Sequence, residues 1–123
     1  MDRVTLAVPS SIVEALPEGD GGGTARDMER AVAGWEEQLN RALSADDAGP
    51  IVDLIERFED RWERYDGYVV ELRAWGQSPI YAMAWRDLHA ALIDQLYEHE
   101  SLTEEIDRER HARIVKDGIR SGP

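Results

Sequence analysis

The chain has 123 residues, 42% of them apolar, with four Trp, four Tyr and no Cys. That length is one ordinary domain able to bury its own core, and the missing cysteine excludes disulfides, thiolate chemistry and cysteine zinc sites. A formal net charge of -12 repels nucleic acid at low salt, and the longest apolar run, Ile80 to Trp85, falls far short of the about 20 residues a membrane helix needs.

Residues Arg3 to Val8 alternate polar and apolar and then meet Pro9. This predicts a short strand with Val4, Leu6 and Val8 on one face and Arg3, Thr5 and Ala7 on the other. Ser10 and Ser11 suit the cap of a short helix, Glu14 completes a capping box, and Pro17 stops it. Glu18 to Gly23 reads as a glycine-rich linker; it has neither a GK[ST] ending nor a GxGxxG pattern, so a phosphate loop is not indicated. Thr24 is the candidate N-cap of an amphipathic helix over 25–43, with Met28, Val32, Trp35, Leu39 and Ala42 on its apolar face.

Pro50 suits the first position of the next helix. Ile51, Ile55, Phe58, Trp62, Tyr65, Val69 and Leu72 recur at alternating spacings of four and three, a heptad seam. Asp53 with Arg57 and Asp60 with Arg64 are paired at i,i+4 on its other faces. Tyr68 to Trp75 also alternates as a strand would, after a possible break at Asp66-Gly67, but the seam keeps its phase and favours one helix ended by Gly76. Ser78-Pro79 starts a further helix, Ser78 as cap, whose stripe is Tyr81, Trp85, Leu88, Leu92 and Leu96. Ser101 and Glu104 form a second capping box. It opens a polar helix whose apolar positions are Leu102, Ile106, Ile114 and Val115, with Glu104–Arg108 and Glu109–Arg113 as favourable pairs. The expected fold is mainly α: residues 1–23 form a short N-terminal strand, small helix and linker, and 24–123 a bundle of about four helices.

The histidines and acids are the side chains with most potential for chemistry. A di-iron bundle needs Glu-x-x-His on two helices, and Arg86, Leu96 and Arg108 stand three before His89, His99 and His111. HExxH is absent, and no Arg precedes a His by the spacing of HEPN-type ribonucleases. Glu56, Glu59 and Glu63 lie near one helix face and read as a solvated stripe. The serines are explained as caps, His89 reads as a hydrogen-bonded core or groove histidine, and Trp35, Trp62, Trp85, Tyr65 and Tyr81 fall on seams as packing residues. No metal, cofactor, small-molecule substrate or enzymatic activity is expected.

The sequence carries two resemblances. Lys116 is the only lysine among many Arg and acids, a composition that resembles the proteins of salt-in halophiles such as haloarchaea. Arg3 to Pro9, Ile12 to Leu16, the glycine turn and Thr24 to Val32 together resemble the ribbon-helix-helix family of DNA-binding regulators. That resemblance implies a strand pairing with its twin to enter the major groove, with Arg3 and Thr5 facing bases. It further implies that the helix start at Thr24 and Ala25 grips a phosphate, and that Val4, Leu6, Val8, Ile12 and Val13 form a dimer core. The expected function is a small, cytoplasmic, dimeric regulator or antitoxin that binds duplex DNA; the alternative is a helical interaction or assembly component that binds a protein partner and no nucleic acid.

Overall fold

The computed structural model describes residues 3–17, 19 and 22–121, the side chains of residues 101 and 119–121 excepted. The protein is mainly α. Among the described residues five helices follow in order: α1 Ser10–Glu14, α2 Gly23–Ser44, α3 Gly49–Ala74, α4 Ile80–Tyr97 and α5 Glu100–Ser121. The inner part of the linker (Glu18, Asp20 and Gly21) and the Ser101 side chain of the second capping box lie outside the described residues.

The expected N-terminal strand is not formed. Residues 3–9 are extended but belong to no sheet. Their alternation holds: Val4 and Leu6 are buried while Arg3, Thr5 and Ala7 are exposed. A neighbouring strand is what is missing, and side chains of α2 and α4 replace it. Asn40 Oδ1 accepts from Val4 N–H at 2.9 Å, and Asn40 Nδ2 donates to the Val4 carbonyl at 2.9 Å. Glu36 accepts from Leu6 N–H at 3.0 Å. Gln95 accepts from Ala7 N–H at 2.9 Å and donates to the Ala7 carbonyl at 2.8 Å. Backbone polar groups taken from water must find partners, and here two side-chain amides imitate the ladder of a β-partner. Val4, Leu6 and Ile12 thereby join the same apolar core as the long helices.

The helix starts differ from the capping pattern expected of the sequence. Ser10 and Ser11 lie inside α1, whose N-cap is Pro9. Thr24 lies in the first turn of α2 rather than at its cap, because Gly22, left-handed at φ 79, already turns the chain into the helix. Pro79 rather than Ser78 occupies the N-cap of α4. Two helix ends close with paired bonds from the following N–H groups. After α3, Gly76 is left-handed, its N–H bonded to the Arg73 carbonyl and that of Gln77 to the Leu72 carbonyl. After α2 the same left-handed position falls on a non-glycine, Asp46 at φ 52.

The apolar periods place the core. Met28, Val32, Trp35, Leu39, Ala42 and Leu43 of α2 are buried, against Ile51, Val52, Leu54, Ile55, Phe58 and Val69 of α3 and Leu88, His89, Leu92 and Leu96 of α4. The α3 helix runs unbroken through Asp66-Gly67, as the seam favours. The α5 helix is docked by Leu102 and Ile106, both fully buried. Its Arg113 reaches Asp53 at 2.9 Å, Glu56 at 3.5 Å and the Gly49 carbonyl at 3.1 Å, and Arg110 bonds Glu59. Two acids of the expected solvated stripe, Glu56 and Glu59, thus anchor α5 across the first turns of α3. Beyond Arg113, Ile114 and Val115 point into solvent.

Candidate functional site: an aromatic groove at the tip of the α3–α4 hairpin

The heptad seam of α3 has two fates. From Ile51 to Phe58 it is covered by other helices of the chain. From Trp62 onward it carries aromatic side chains of which several remain in water. On α3, Tyr65, Tyr68, Leu72 and Trp75 follow one another at spacings of three, four and three, which sets them on neighbouring turns of one face. Across from them α4 presents Tyr81, Ala82 and Trp85. Together with Gln77 of the connecting loop and Glu71 at the rim they line an open groove of about 510 Å³. Trp75 is 81% exposed, and Tyr68 and Tyr81 are nearly half exposed. A cluster of large apolar side chains left in water marks an interaction site more often than an accident of packing.

The floor of the groove is a packed aromatic cluster. Tyr65 stacks on Trp85, centroids 6.2 Å apart, and meets Tyr68 edge-on at 5.8 Å. One turn deeper lies His89, fully buried and stacked on Tyr65 at 5.7 Å, with Trp35 and Phe58 edge-on to it. Its Nδ1 sits 2.6 Å from the Trp85 carbonyl oxygen, while Nε2 has no partner. Burial pushes the His89 pKa down from its ordinary 6.5, against the opposing pull of the Trp85 carbonyl, and the Arg61 guanidinium lowers it further. The imidazole is therefore neutral, with its proton on Nδ1 donated to that carbonyl. It behaves as the hydrogen-bonded core histidine the sequence suggests. On another side of the hairpin Arg86 ties the two helices, bonded to Asp66 at 2.9 Å and Asp87 at 3.2 Å.

Charge is balanced along this hairpin. Between Arg61 and Asp87 there are four arginines (61, 64, 73 and 86) and four acids (63, 66, 71 and 87), so the segment is neutral. The whole excess of -12 lies outside it. Among the described residues no group of three or more His, Asp or Glu is placed to hold a metal ion, and no helix is long and apolar enough to cross a membrane.

The residues expected to contact DNA fall elsewhere and do not converge. Arg3 and Thr5 are exposed on the arm, which is clamped at Asn40. Thr24 and Ala25 are half-buried at the opposite end of α2, 16 residues and so about 24 Å along the helix from Asn40. Of the residues expected in a dimer core, Val4, Leu6 and Ile12 are buried within this chain's own bundle, and Val8 and Val13 are partly so. Sequence reasoning treated Trp62 and Tyr81 as packing residues, yet both are exposed, and it passed over Trp75. The usable signal was the run of aromatics continuing to the end of a helix within a charge-balanced segment.

A family model described as a family of unknown function (DUF7971) matches residues 1–123. No curated protein and no solved structure matches the chain.

Proposed function

We propose that this chain, which belongs to the DUF7971 family of unknown function, is a non-enzymatic helical interaction protein that docks a protein partner in the aromatic groove between α3 and α4. One observation carries this: the most exposed large aromatic, Trp75, stands beside the groove on a stretch of the chain, 61–87, where charge cancels. Aromatic anchors dominate protein interfaces, and charged residues are depleted from interface centres. The side chains around the groove supply mainly aromatic stacking surface. A photoreactive amino acid placed at position 75, and at the exposed control position 114, tests the docking face in cells. Protein cross-links at 75 well above those at 114 are expected; equal yields would remove the groove as a docking face.

A second role, as a dimeric cytoplasmic regulator that reads duplex DNA, is favoured by the outward-facing pair Arg3 and Thr5. It would require the arm to leave its own bundle and break the five hydrogen bonds to Asn40, Glu36 and Gln95. Arg3→Ala with Thr5→Ala should then abolish duplex binding in salt matched to the host without changing the fold. Unaltered binding by that variant discards the DNA role.

A further inference from the structure

We infer that the occupant of the groove is a second copy of this chain, related by a two-fold axis, with Trp75 of each copy seated in the groove of the other; this rests on the docking role proposed above. A two-fold interface must be self-complementary, since one patch meets its own duplicate. The hairpin tip meets that requirement by carrying both halves of a contact. Trp75 is a projecting apolar knob, 81% exposed, at the end of α3. The groove beside it is a hole of about 510 Å³ floored by Tyr65, Leu72 and Trp85. A protruding indole next to an aromatic groove on one hairpin satisfies itself twice when the hairpin is duplicated.

Charge chooses among occupants. Two chains each carrying -12 repel one another wherever their acidic surfaces approach. The segment from Arg61 to Asp87 is neutral, with four basic and four acidic residues, so two copies meet there without net repulsion. A basic partner would be drawn instead to the acid-rich remainder of the molecule. The α3 seam points the same way. Its heptad spacing continues past Phe58 through Trp62, Tyr65, Val69 and Leu72, a pattern that suits packing against another helix, while Trp62 is exposed and Tyr65 and Leu72 are only half covered by this chain.

Sedimentation equilibrium of the full chain, at low salt and in molar potassium chloride, tests the assignment. The wild-type protein should be a dimer whose association strengthens as salt screens the outlying acids. Trp75→Glu should weaken association at least about thirtyfold, as loss of an interface anchor does, with an unchanged far-UV spectrum because the side chain is exposed. Trp75→Ala should weaken it in the same sense, and Ile114→Glu, on an exposed apolar residue elsewhere, should leave it intact. A monomer at every salt concentration, or a dimer untouched by either Trp75 variant, overturns the inference. If position 75 then cross-links to a different protein, the groove remains a docking face and only the second-copy assignment falls; if it cross-links to nothing above the control, both fall.

Discussion

Asn40 grips the peptide backbone of Val4 from both sides, accepting its N–H and donating to its carbonyl, each at 2.9 Å. Together with Glu36 and Gln95, this amide holds the N-terminal arm against α2 and α4 without a strand partner. Asn40→Ala leaves a partly buried N–H and C=O unsatisfied and should cost about 1–3 kcal/mol. Urea unfolding measures the loss. Trypsin cleavage after Arg3 should accelerate in parallel, because the released arm exposes the Arg3–Val4 bond. Gln95→Ala, whose bonds to Ala7 are exposed, should cost less, about 1 kcal/mol.

Stability should fall as pH drops just below 6.5, through His89. Burial holds this imidazole below its ordinary 6.5 in the folded chain. The unfolded chain therefore takes up a proton that the native state refuses. The stabilising contribution is complete above 6.5 and is lost as pH falls through that value toward the lower folded one. His89→Phe keeps an aromatic ring in the cage and should flatten the stability profile between pH 6.5 and about 5, above the range where ordinary carboxylates titrate. An identical slope in wild type and variant would assign the effect to other groups.

Much of this architecture was legible and some was not, for identifiable reasons. Ile51, Ile55 and Phe58 announce a buried helix face because spacing alone fixes which side chains share a turn. The same spacing at Trp62 and Tyr65 says nothing of what covers that face, and within this chain the cover is incomplete. The alternation of Val4 and Leu6 correctly separated inside from outside. Their partners were invisible because Asn40 and Gln95 lie 36 and 88 residues from the backbone groups they bind, and a side-chain amide serving as a ladder leaves no periodic mark. The DNA-reading residues were inferred from local similarity, which could not register that Thr24 and the arm clamp sit at opposite ends of α2.

Asp46 closes α2 in a left-handed conformation, at φ 52, that glycine adopts without steric cost. Asp46→Gly should raise stability by about 0.5–1 kcal/mol in a thermal or urea melt. A loss of stability would mean that the Asp46 side chain supports the loop in some other way.

Arg113 fastens α5 to the start of α3 through Asp53, Glu56 and the Gly49 carbonyl. The group is partly solvated, so Arg113→Ala should cost only about 1 kcal/mol, and less in high salt, as for other partly exposed ion pairs. Hydrogen exchange should quicken in the second half of α5 while the turns bearing Leu102 and Ile106 stay protected.

The central claim is that two copies of this protein meet at the tip of the α3–α4 hairpin. The four indole N–H resonances, from Trp35, Trp62, Trp75 and Trp85, report on it directly in a dilution series of the full-length protein. The Trp75 signal should move with concentration, and that of Trp85 with it, while buried Trp35 stays in place. Four signals that hold their positions across the series, or a shift confined to Trp35, would contradict the account.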